Sequence, residues 1–170
     1  MQFLFHNLSF PQKIYEVLDV AKFYHGSKSL SNKLIDNDLY TSEPITTFNV
    51  KFPTYAKLSK IELYFIPANG VVNFFSVKNG KETLIHKAHI TTDTKSISFT
   101  PNANEEFIEI KVDWTLNSSK LEVKEFIALT YDENTIFIFK SISEAMRDAK
   151  KNKQSDTLPV PLPYERSHSN

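Results

Sequence analysis

Apolar residues in this chain recur at every second position, over many short runs. Phe48, Val50 and Phe52 alternate with Asn49 and Lys51. Ile61, Leu63 and Phe65 alternate with Glu62 and Tyr64. Ile108, Ile110, Val112 and Trp114 repeat the pattern, after a strong run from Val71 to Val77 and another from Thr83 to Ile90. Successive side chains of a strand point to opposite faces, so this period describes strands with one buried and one wet face. Turn signals separate the runs. Pro67-Ala68-Asn69-Gly70 is one, and Asn79-Gly80 is another. Asn-Gly between two such runs predicts a tight hairpin, because both central residues of its turn need positive φ. Short strands at this spacing, about eight of them, describe an antiparallel β-sandwich of jelly-roll type.

The details follow from local chemistry. Pro53, which has no N–H to donate, is expected to end its strand. A loop is expected to open at Gly26-Ser27-Lys28-Ser29 and run to about Pro44. Leu121, Val123, Phe126 and Leu129 change spacing near Lys124-Glu125, which predicts a bulge. Ile136 to Phe139 reads as a last strand. Ser141-Ile142-Ser143-Glu144 fits a capping box, and Ile142, Ala145, Met146 and Ala149 follow at helical spacing. The expected organisation is an N-terminal arm or strand (1–13), a sandwich (14–140), a short helix (141–151) and an extended, proline-rich tail (152–170). In that tail Leu158, Val160, Leu162 and Tyr164 alternate with proline. Such a segment is either a free tail or an arm that lays these side chains against a neighbouring subunit.

Several function classes lose support. The 170 residues hold 20 Lys plus Arg and 20 Asp plus Glu, so there is no overall basic field for nucleic acid. With no cysteine there are no thiolate nucleophiles and no Cys-based zinc sites. Only Gly26, Gly70 and Gly80 are glycine, too few for a backbone phosphate cradle. No catalytic motif appears, and no cofactor or metal is expected. His86 and His89 lie three apart on an expected strand and so face opposite ways. Met1 to Asn7 lacks the basic region and apolar core of a secretory signal, and no apolar run nears the ~20 residues that span a bilayer.

One stretch points to a known family. Leu34-Ile35-Asp36-Asn37-Asp38-Leu39-Tyr40-Thr41-Ser42 resembles the early loop of galactose-binding-like, or discoidin-like, jelly rolls. Phe48 to Phe52, Leu58 to Leu63, Phe107 to Val112 and Leu121 to Phe126 resemble successive strands of that family, in the same order. The similarity spans roughly residues 15 to 130, with Glu43-Pro44 where the family often carries Trp. It implies the jelly-roll fold, and a loop whose Asp36, Asn37 and Asp38 either hold a cation or simply turn the chain. Tyr24, His25 and Tyr40, in or beside expected loops, complete the candidate ligand-binding set, since exposed rings stack on sugars or anchor protein contacts. Trp114 falls on the core face. The leading expectation is a non-enzymatic assembly protein contacting other subunits in a symmetric oligomer. Its specific form is a bacteriophage virion component made in the host cytoplasm. The alternative is a carbohydrate-binding module for surface glycans.

Overall fold

The computed structural model describes residues 15–16, 20–30, 34–35, 38–40, 42–117 and 120–155. They form two antiparallel sheets and a helix. In the first sheet β1 (Tyr15–Glu16), β11 (Leu121–Thr130), β6 (Lys60–Phe65) and β9 (Ser96–Phe99) lie side by side, and β4 (Glu43–Ile45) pairs with the start of β11. The second sheet runs in the order β3 (Lys28–Ser29), β2 (Lys22–His25), β5 (Thr47–Lys57), β10 (Glu106–Leu116), β7 (Gly70–Lys78) and β8 (Lys81–Ile90). The result is the expected antiparallel β-sandwich with a C-terminal helix.

The alternation closes the layers. Phe48, Val50, Phe74, Ile110 and Val112 from one sheet and Ile61, Leu63, Val123 and Phe126 from the other are all fully buried. The ring of Phe48 meets that of Phe126 edge-on across the layers, with centroids 5.5 Å apart. At the far side Phe99 of β9 packs on Phe74 at 5.0 Å and stacks on His86 at 4.1 Å. Burial there pushes the His86 imidazole below its usual pKa. The Asn79-Gly80 hairpin forms as expected, with φ of 52° and 75°.

Several expectations need correction. β5 does not stop at Pro53 but continues to Lys57. Its residues 52 to 55 have no partner on β10, whose register jumps between Phe107 and Glu109, so the missing N–H costs no ladder bond. The same irregularity buries Phe107 and leaves Ile108 only half-buried. The bulge near Lys124 is present, but beyond it Phe126, Ala128 and Thr130 face inward and Leu129 does not. The loop expected from Gly26 to Pro44 contains β3, and β4 includes Pro44.

The helix is the largest correction. It spans Glu133–Ser155, so Ile136 to Phe139 is helical and the first turn lies well before Ser141. Asp132 is the cap. Its Oδ2 accepts from the N–H and from the hydroxyl of Thr135, each at 2.8 Å. Ser141 instead donates to the Phe137 carbonyl within the helix. Thr135 and Phe139 are buried, with Phe139 against Phe52 at 6.2 Å. Ile142 packs on the core, but Ala145, Met146 and Ala149 are exposed rather than docked on the sandwich.

Candidate functional site

The β2–β3 hairpin carries the first two candidate residues. Phe23 faces inward and anchors it, stacking on Phe48 at 6.2 Å and meeting Phe126 edge-on at 6.0 Å. Gly26 turns the chain at φ 59°, a conformation strained for any residue with a Cβ. Because Phe23 points in, Lys22 and Tyr24 must point out. β2 pairs with β5 so that Lys22 lies opposite Lys51 and Tyr24 opposite Asn49.

On this outer face Asn49 Nδ2 donates to Glu109 Oε1 at 2.6 Å, and the Tyr24 phenol bonds the same carboxylate. Burial, followed by the bond to Glu109 and its negative charge, pushes the Tyr24 pKa well above the ordinary range; a hydrogen bond from Asn49 opposes them. Farther along the sheet Asn73 donates to Asp113 at 3.1 Å, and Lys111 pairs with Glu82 at 2.9 Å.

Tyr24 lines a groove of about 530 Å³ at this sheet edge. Lys22, Ser27, Ser29 and Lys51 give it polar walls, while Phe23, Leu30 and Ile35 give it apolar surface. That size and mixture suit a small ligand. His25 faces a separate hollow of about 220 Å³ with Lys28, Thr46 and Lys120, and its Nδ1 lies 3.1 Å from the Thr47 carbonyl. The hairpin therefore sends its two neighbouring rings to different hollows, both touching Leu30.

Of the remaining candidates that are described, Asp38 and Tyr40 do not line the groove. Asp38 Oδ1 accepts the Tyr40 N–H at 2.8 Å, a side chain turning its own backbone. The Tyr40 side chain is 99% exposed. Asp36 and Asn37 lie outside the described residues, as do Leu158, Val160, Leu162 and Tyr164. Trp114 is half-buried, 6.3 Å from Phe48, with no hydrogen-bond partner for its buried Nε1.

A third hollow, about 500 Å³, lies at the start of the helix beside Ser59, Pro101, Tyr131 and Asp132. Part of its polar lining is already engaged. Thr130 Oγ1 donates to the Lys57 carbonyl at 2.5 Å, Ser59 Oγ accepts from Tyr131 N–H at 2.9 Å, and Asp132 holds Thr135. The Thr135 N–H is the main cause that holds the Asp132 carboxyl below its usual pKa. This corner ties the helix to the sandwich. By contrast, the side chains of Lys22, Ser27, Ser29 and Lys51 make no hydrogen bond or ion pair among the described residues. The hairpin groove thus presents four polar side chains free to meet a ligand.

Sequence reasoning reached Tyr24 but missed Lys22, Asn49, Lys51 and Glu109. The alternation did place Asn49 and Lys51 on the wet face of β5. What it lacked was β2, and with it the register that sets Lys22 against Lys51.

Neither protein-family models nor curated protein sequences give a match to this chain. Solved structures do. The family 32 carbohydrate-binding module of Clostridium perfringens NanJ, solved with galactose, superposes with a TM-score of 0.55 at 13% identity, over 69% of this chain and 100% of that one. Chitosan-binding module 1 of the Paenibacillus sp. IK-5 chitosanase/glucanase gives 0.53 at 12%, over 69% and 100%. A family 89 glycoside hydrolase from C. perfringens matches with a TM-score of 0.55 at 18% identity, over 71% of this chain. This chain spans only about 14–15% of the length of the family 89 enzymes it matches. The fold is that of a galactose-binding-like, discoidin-like jelly roll.

Proposed function

We propose that this chain is a non-catalytic carbohydrate-binding module whose sugar site is the groove beside the β2–β3 hairpin. The observation that carries the reading is the superposition on carbohydrate-binding modules over the whole of their length. The groove supports it chemically. A sugar ring offers an apolar face and a rim of hydroxyls, and the groove offers the Tyr24 ring, apolar side chains and unengaged Ser27, Ser29, Lys22 and Lys51. Nothing in this set is arranged as a nucleophile with its base. The expectation of assembly into a virion rested on the absence of cysteine and of a signal segment, on the jelly-roll core and on two terminal arms. The first arm and residues 156–170 of the second lie outside the described residues, 152–155 belong to the helix, and the structural neighbours favour the glycan reading.

A glycan array on the full chain, followed by calorimetric titration with galactose and with chitosan oligomers, tests this. Binding at about millimolar or tighter is expected. Tyr24→Ala should weaken it about tenfold, while Tyr40→Ala should leave it unchanged. No binding of any glycan at millimolar concentration would overturn the reading. Loss of binding in Tyr40→Ala but not in Tyr24→Ala would move the site to the 38–40 loop.

A further inference from the structure

We infer that the hairpin groove selects sugars carrying an anionic group, a carboxylate or a sulfate ester, and that Lys22 and Lys51 hold that group. This rests on the carbohydrate reading and names the ligand class of the same site. Lys22 and Lys51 are direct cross-strand partners, so their side chains leave the sheet on the same face. Both are exposed and both line the groove. Like charges directly opposite each other on neighbouring strands destabilise the pair. Sheets commonly relieve this with a carboxylate, and one stands close by. Glu109 is the partner of Lys51 on the other side, in β10. Its carboxylate is turned instead to Asn49 and Tyr24, and neither lysine forms an ion pair among the described residues.

The contrast with the same sheet is instructive. Lys111, two strands away from Lys22, is neutralised by Glu82 at 2.9 Å and has Asp113 at 3.8 Å. At the groove two opposed lysines have no ion-pair partner among the described residues; Lys78 and Lys81, opposed beside the Asn79-Gly80 turn, are likewise unpaired but line none of the hollows described above. Ser27 and Ser29 stand beside them to receive neutral hydroxyls. The arrangement is complete for a ring with one negative substituent: two cations for the charge, hydroxyls for the rim and a tyrosine for the face.

Titration calorimetry on the full chain with galactose, galacturonate, galactose 6-sulfate and sodium sulfate tests this. The acidic sugars should bind about tenfold tighter than galactose, and the advantage should shrink as salt rises. In the Lys22→Gln/Lys51→Gln double variant the ratio of acidic-sugar to galactose affinity should fall to about one, and Lys51→Arg should keep the ratio of the wild type. A melting curve for each variant checks folding. Equal affinity for neutral and acidic sugars would overturn the inference and leave the carbohydrate reading intact. Sodium sulfate binding as tightly as galactose 6-sulfate would also overturn it, showing a simple anion site. Failure of every sugar to bind would overturn both readings together.

Discussion

The two faces of the six-stranded sheet are built from the same strands and obey different chemistry. Along β5 the inward residues Phe48 and Val50 are fully buried, and each has only apolar neighbours to satisfy. The residues between them, Asn49 and Lys51, face out. One is tied into a hydrogen-bond network and the other is held in open groove. The inner face is close-packed, so any change of volume is felt there. The outer face holds polar groups whose net worth is small because water competes for them. A pleated strand thus separates stability from recognition at every second residue, and substitutions at neighbouring positions should differ greatly in effect.

The largest effect belongs to the inner face. Phe48 touches Phe23, Phe126 and Trp114, so Phe48→Ala removes the ring that joins the two layers to the hairpin. The expected loss is about 3–5 kcal/mol in urea unfolding. A loss as small as that of an outer-face variant would break the division between faces.

Next comes the helix start, which props the Phe52 end of the core through Phe139. Asp132→Ala should cost about 0.5–2 kcal/mol, the usual value of an N-cap. The pH dependence has a definite sign. Thr135 lowers the Asp132 pKa in the folded state, so the stabilisation is present above the unfolded value of about 3.9 and is lost as pH falls through the lower folded value. Acid unfolding curves of wild type and Asp132→Ala should therefore converge at low pH.

These two regions also show what sequence reasoning can reach. The inner face was legible because period-2 alternation is a direct consequence of the pleat, and Phe48, Val50, Ile61, Leu63, Ile110 and Val112 all fall where it puts them. The helix start was not. Ile136-Phe137-Ile138-Phe139 is a run of four apolar residues, which fits a period of 2 as well as one of 3.6. Its β-branched and aromatic content then tips the reading to strand. The signal that would have corrected it is Asp132 followed three residues later by Thr135, with Phe139 and Ile142 continuing the buried stripe. The groove was legible only in part. Tyr24 stood out as a ring near a turn, but Lys22 and Lys51 are 29 positions apart and acquire meaning only through register. The Asp36–Asp38 loop attracted attention through its resemblance to a family loop and Tyr40 as an expected exposed ring, and for Asp38 the structure shows a side chain turning its own backbone.

On the outer face, Asn49→Ala should cost about 1 kcal/mol, because it removes one hydrogen bond to Glu109. Tyr24 offers a finer probe. Its raised pKa means that folding favours the protonated phenol, so its contribution is intact below the unfolded value of about 10 and fades as pH climbs through the folded one. Burial and Glu62 raise Tyr64 as well, so ultraviolet difference titration should show late-ionising phenols of which Tyr24→Phe removes one. If all the tyrosines ionised together near pH 10, the Tyr24–Glu109 contact would be absent in solution.

The smallest effect is the most telling for function. Lys51→Gln removes one of two opposed charges that gain nothing from each other. Its stability should change by no more than about 0.5 kcal/mol, and in the favourable direction at low salt. Raising the ionic strength should erase that gain, since both ammonium groups are exposed and readily screened. A residue kept for folding would behave in the opposite way. If Lys51→Gln destabilised the protein by a kilocalorie or more, the lysine would be paired in solution and the groove would hold one free cation instead of two.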